Sequence, residues 1–180
     1  MSEKSLPPLW NQFLMEFDRS LAEPLKLYCI GGFAFSFFYG TARDTADLDY
    51  CSVVPANVIN LEQLGGRGSP LHEKYKVSLH RVGVNTMPDG FAERSTEMLP
   101  GNFKQLRLFV PDPYDIILSK LERNDSKDRD DVNHLFRSHK LDAQKLRGRY
   151  LKFQRPYLLS REEWHDQTLD MWIEIFTAPS

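Results

Sequence analysis

The apolar positions near the N-terminus fall at helical spacing. Leu9, Trp10, Phe13, Leu14, Phe17 and Leu21 share one stripe and predict an amphipathic helix over residues 8–21, ended by Pro24. The pattern then changes to short apolar runs of the kind strands make. Residues 27–30 predict a first strand, and residues 48–54 a second, stopped by Pro55. Between them the pair Gly31-Gly32 opens an aromatic-rich helix over residues 32–38. A helical pattern at 57–64 and a turn at 65–70, rich in glycine, lead to a short helix over 70–75. Further strands are predicted at 76–84 and 106–110, separated by the turn Met87-Pro88-Asp89-Gly90. Beyond Pro111 the pattern is helical. One helix runs from Pro113 to about residue 123, with Asp112 as N-cap, and others cover 128–138, 142–149 and 161–176.

Strands first and helices afterwards predict an α+β protein: a small mixed β-sheet flanked by helices, with a helical C-terminal region. With 180 residues and no repeat, linker or low-complexity tract, the chain reads as a single domain, residues 1–180. Its sheet-containing core covers about 24–111 and its helical region about 112–180. Hydrophobic residues make up 41% and charged residues 27%, and the formal net charge is −2, so nucleic acid is not drawn in by a global field and would need a local patch. Cys29 and Cys51 lie in no metal-ligand spacing and read as small buried thiols of a reducing cytosol. No leader pattern or membrane-length apolar run is present, so a cytoplasmic protein with no membrane partner is expected.

The candidate chemistry is concentrated between residues 28 and 50. Asp47 and Asp49 flank Leu48 in the second strand, so their side chains share a face, with Cα atoms about 7 Å apart. Aspartate is poorly suited to strands. Two aspartates between apolar neighbours fit a hard divalent cation, Mg²⁺ or Mn²⁺; the alternative is a pair of solvent-facing strand residues. Gly31-Gly32 leaves backbone N–H groups bare at the start of a helix, where a phosphate is favourably held, or else makes only a tight strand-to-helix turn. Lys120 and Arg123 lie on one side of their helix, and Asp128 and Asp131 share the next helical face. They read as a solvated charged face or as a cluster in which the acids orient the cations. Residues 137–155 carry Arg137, Lys140, Lys145, Arg147, Arg149, Lys152 and Arg155 against the lone Asp142, with Tyr150 and Phe153 interleaved. Such a stripe either follows an RNA backbone or is wet surface.

A glycine pair, a helix and then Asp-x-Asp on a strand resembles the nucleotidyltransferase superfamily, with its polymerase-beta-like fold. Gly31-Gly32-Phe33-Ala34 and Arg43-x-Thr45-x-Asp47-x-Asp49 are similar to bacterial nucleotidyltransferase-like proteins of the AbiEii and MenT toxin type, and above all to the DUF6036 family. Residues 112–136 resemble a helical segment of that family. The resemblance implies transfer of a nucleotidyl group from an NTP to an RNA, such as transfer RNA, or to a protein. It also implies a toxin–antitoxin setting with a cognate antitoxin. In it Asp47 and Asp49 hold the metal, and Gly31, Gly32, Arg43, Lys120 and Arg123 bind the nucleotide. Lys120 and Asp128 join the two strand aspartates as catalytic residues. One departure stands out. The strand over residues 75–82 carries no acid, and His80 occupies about the place of the superfamily's third carboxylate. A catalytically inactive nucleotide-binding or regulatory module of the same fold is therefore the alternative.

Overall fold

The computed structural model describes residues 6–41, 44–56, 61–83 and 86–178. They group into two compact units, residues 6–83 with 95–110 and residues 86–94 with 111–178.

The first unit is built on a five-stranded mixed sheet. Its strands are β1 (Leu25–Ile30), β2 (Asp47–Val54), β3 (Ser78–Arg81), β4 (Thr96–Met98) and β5 (Leu106–Val110), in the spatial order β3-β2-β1-β5-β4. β1 is central, antiparallel to β2 and parallel to β5, and all its residues but Lys26 are buried. β3 pairs with β2 in parallel, and β4 closes the other edge antiparallel to β5. Helix α1 (Pro8–Ser20) buries Trp10, Phe13, Leu14 and Phe17 on one stripe, which is why the 3.6-residue spacing forms a helix here. Its Asp18, in the last turn where a negative charge opposes the helix dipole, accepts from the backbone N–H groups of Lys104, Gln105 and Leu106 just ahead of β5. Burial pushes this carboxyl up, but the three N–H bonds outweigh it and hold it below its usual range. The two thiols are free, Cys29 buried and Cys51 half-buried, and burial pushes Cys51 up to about 12.

Several predicted boundaries move for identifiable reasons. β3 starts at Ser78 instead of 76, because Lys76 adopts a left-handed conformation (φ 57°) that caps α4 (Pro70–Tyr75). The helix after Gly31-Gly32 begins as α2 (Gly31–Phe33) and continues as a π-helical turn, Ala34–Phe38. Of the helix predicted at 57–64, the part within the described residues is α3, Leu61–Gly65. β4 was not predicted at all.

The second unit is helical: α5 (Pro113–Leu118), α6 (Ser126–Ser138), α7 (Ala143–Phe153) and α8 (Glu162–Thr177), with a short 3₁₀ turn, Arg155–Tyr157. Asp112 caps α5 as predicted, accepting from the Asp115 N–H. The helix nevertheless ends at Leu118, and the chain continues in tight turns in which Lys120 and Leu121 donate to carbonyls three residues back. The apolar faces meet in a core of Ile116, Ile117, Val132, Leu135, Leu146 and Trp172, and the Phe136 ring stacks on Phe176 at 4.8 Å. Among the described residues no helix is long and apolar enough to cross a membrane.

Candidate functional site

The site in the first unit is assembled by strand register. β2 buries Leu48 and Tyr50 on one face and turns Asp47 and Asp49 to the other. The alternation breaks at Cys51–Ser52, where one extra residue slips the β1–β2 register between Tyr28 and Cys29; this β-bulge sets the two halves of β2 out of phase. Parallel pairing sets Ser78 opposite Asp47 and His80 opposite Asp49. Each polar neighbour binds its partner: Ser78 Oγ donates to Asp47 Oδ1 at 2.7 Å, and His80 Nδ1 lies 2.8 Å from Asp49 Oδ1. One oxygen of each carboxylate is thus tied down, and the side chains remain 38% and 26% exposed respectively. Arg67, largely exposed, approaches the second oxygen of Asp47 only to 3.9 Å.

The glycine pair abuts the same carboxylates. Gly31 follows Ile30, which is paired with Asp49, and its backbone has a φ of +63°. A Cβ added to Gly31 would fall 2.1 Å from Asp49 Oδ2, and one on Gly32 would fall 3.1 Å from Thr45 Oγ1. Glycine is required at Gly31 because the aspartate occupies the space a side chain would take. Thr45 also donates to the Asp47 carbonyl at 2.9 Å. Thr45 entered the sequence reading only as part of the family motif, with no role given to it, and Ser78 was not singled out. The signal for each was its two-residue spacing, Thr45 ahead of Asp47 and Ser78 ahead of His80.

Mg²⁺ usually binds through one or two carboxylates and completes its shell with water and phosphate. Two half-exposed carboxylates on one face, each oriented by a neighbouring hydrogen bond, fit that pattern. A closed protein cage does not fit: among the described residues no group of three or more His, Cys, Asp and Glu side chains could hold an ion.

In the second unit, Lys120, Arg123, Asp128 and Asp131 form one ion cluster. Lys120, 10% exposed, donates to Asp128 Oδ1 at 2.5 Å and to Asp131 Oδ2 at 3.4 Å. Arg123 grips both oxygens of Asp128, at 2.7 and 2.6 Å. Burial alone pushes the Asp128 carboxyl up, but Arg123 and Lys120 outweigh it and hold it below its usual range. Arg43 lies outside the described residues. In the basic stripe, Arg147 pairs with Asp170, Arg149 with Asp112 and Asp115, and Arg155 with Asp166.

No curated protein and no solved structure matches the chain. A family model does, over residues 13–177, and the chain belongs to that family, DUF6036, described as a nucleotidyltransferase of unknown function.

Proposed function

We propose that the protein transfers a nucleotidyl group from an NTP to an acceptor hydroxyl, the new O–P bond forming at the α-phosphorus as pyrophosphate leaves, with Asp47 and Asp49 holding a divalent cation, Mg²⁺ or Mn²⁺. The observation that carries this reading is the contact between Gly31 and Asp49. It sets an amide-lined turn beside a carboxylate pair, the two elements that handling a metal-bound phosphate requires. The cation supplies charge neutralisation on the phosphate oxygens. The chain's own part is positional. Gly31 and Gly32 present N–H groups to phosphate, and Ser78 and His80 keep the two carboxylates aimed. The resemblance adds Arg43, Lys120 and Arg123 to the phosphate-binding set and Lys120 and Asp128 to the catalytic set. The ion pairs of Lys120 with Asp128 and Asp131 favour a structural role for that lysine instead.

A second reading, a nucleotide-binding module without turnover, is favoured by one observation: the strand beside β2 offers His80, not an acid, opposite Asp49. Incubation with labelled NTPs, Mg²⁺ and total RNA or total protein separates the two. Label transfer that is lost in Asp49→Ala and falls about 10- to 100-fold in His80→Ala, with partial rescue by His80→Asn, supports the enzyme. Saturable NTP binding with no transfer to any acceptor supports the module. The toxin–antitoxin setting rests on the resemblance. Growth arrest on expression that survives loss of both Asp47 and Asp49 would assign that effect to protein contact.

A further inference from the structure

The oxygens left open on the two strand aspartates face different neighbours. Ser78 donates to Oδ1 of Asp47 and His80 meets Oδ1 of Asp49, so Oδ2 of each remains. Oδ2 of Asp49 lies against Gly31, where an added Cβ would fall 2.1 Å away. Oδ2 of Asp47 faces Arg67, whose guanidinium stops at 3.9 Å, beyond hydrogen-bond reach. An amide-lined turn therefore flanks the carboxylate pair at one end, and an arginine flanks it at the other.

The backbone on either side of Arg67 holds it there. Gly66 bridges in parallel to Leu79 at the edge strand β3, and its N–H donates to the Glu62 carbonyl at 2.8 Å. Neither preceding glycine has room for a side chain. An added Cβ on Gly65 would fall 3.0 Å from Leu79 and from Phe17, and one on Gly66 would fall 2.6 Å from the Glu62 carbonyl oxygen. After Arg67, the Gly68 N–H donates to His72 Nδ1 and the Ser69 N–H to the Gly66 carbonyl, both at 3.1 Å. Ser69 also caps α4, its hydroxyl oxygen accepting from the His72 N–H. The turn is thus pinned on both sides, yet the side chain it carries is 80% exposed. An ion pair this long and this wet contributes little to stability. Folding alone therefore does not account for a fixed turn that aims an arginine at the carboxylates.

We infer that Arg67 is a phosphate-binding residue of this site, which faces Asp47 in the resting protein and turns to the nucleotide's phosphate chain once a divalent cation takes up the aspartate's charge. The inference rests on the nucleotidyl-transfer reading and adds to it a residue outside the phosphate-binding set named so far. The exchange follows from charge. Guanidinium and cation compete for Asp47, and a cation on the carboxylates repels the guanidinium while the phosphate oxygens attract it. The loose contact with Asp47 makes release cheap, and the planar fork of donors matches phosphate oxygens two at a time. The phosphate chain is then held from two sides, by the Gly31 and Gly32 N–H groups and by Arg67.

Two binding measurements on the full chain, with no acceptor present, test it. Mn²⁺ alone is titrated by the electron spin resonance of the free ion, and each of the common NTPs is titrated calorimetrically at saturating Mn²⁺. Arg67→Gln is expected to bind Mn²⁺ about two- to fivefold more tightly, because an exposed competitor for Asp47 is gone. It is expected to bind NTP about tenfold more weakly, one charge-assisted contact being lost. The opposite signs matter, since a residue that only oriented Asp47 would weaken both. Arg81→Gln removes the same charge from the β3 residue paired with Tyr50, on the other face of the sheet, and is expected to change neither affinity. The inference is overturned if Arg67→Gln leaves NTP affinity unchanged, weakens Mn²⁺ and NTP together, or does no more than Arg81→Gln. Each of those results leaves the transfer reading standing. Wild-type protein that shows no Mn²⁺-dependent NTP binding overturns both.

Discussion

At Gly31 a side chain has no room. The backbone turns at φ +63°, and an added Cβ meets Asp49 Oδ2 at 2.1 Å. Left-handed backbone costs a non-glycine residue about 1–2 kcal/mol, and overpacking adds about 1–3 kcal/mol. Gly31→Ala is therefore expected to lose about 2–4 kcal/mol in urea unfolding. Gly68→Ala is the control, since its φ is +84° but nothing lies within 4 Å of the added atom; it is expected to cost about 1 kcal/mol. Truncating the aspartate removes the clash but leaves the backbone strain. In a double-mutant cycle, Asp49→Ala should therefore return about 1–2 kcal/mol of the Gly31→Ala loss. Strict additivity would show that the carboxylate does not rest on the glycine. The residue pattern Gly-Gly then Asp-x-Asp was legible in the chain. The close contact between the two was not, because it depends on the antiparallel pairing of Ile30 with Asp49 and on the bulge at Cys51.

At the scale of elements, the Lys120 cluster ties the turn after α5 to α6. Removing one partner of a buried ion pair leaves an uncompensated charge, so Lys120→Met is expected to cost about 3 kcal/mol near neutral pH. The pH dependence has a definite sign. The folded-state pKa of Asp128 is depressed, so the carboxylate's stabilising contribution is fully present above its unfolded value of about 3.9. It is lost as pH falls through the lower folded value. The gap between wild type and Lys120→Met, measured by urea unfolding, should therefore stay constant above about pH 5 and narrow as pH falls below about 4. A gap that stays constant there too would remove the ion pair as the cause. Periodicity located α1, β1, β2, β5 and the C-terminal helices, because each buries a long or regular apolar face. It missed β4, three residues with only Met98 buried, which is too short to show alternation. It overran α5, because nothing in residues 119–123 signals the switch to tight turns that brings Lys120 against Asp128. It passed over Asp18, whose role appears only once β5 folds up against the end of α1.

For the molecule as a whole, charge decides how an RNA acceptor would be met. The net charge of −2 supplies no long-range attraction, so RNA binding would need a local patch, for which residues 137–155 are the candidate. The seven basic side chains there are not equally available. Arg147, Arg149 and Arg155 sit in ion pairs with aspartates, and Arg137 donates to Asn133 and to the Ile175 and Ala178 carbonyls. Lys140, Lys145 and Lys152 are exposed, with Lys145 over the Tyr114 ring and Lys152 over Phe153, and among the described residues they form no ion pair. Each phosphate neutralised on a single strand contributes about −0.7 to the slope of log affinity against log salt. Three lysines therefore give a slope of about −2, whereas seven free cations would give about −5. Fluorescence anisotropy with a labelled single-stranded RNA across a salt series is expected to return the shallow slope. Changing the three lysines together to glutamine should bring it close to zero. A slope near the steeper value would mean that the arginines leave their aspartates to bind RNA. In that case Asp166→Asn and Asp170→Asn, which weaken the competing pairs, should raise affinity and not leave it unchanged.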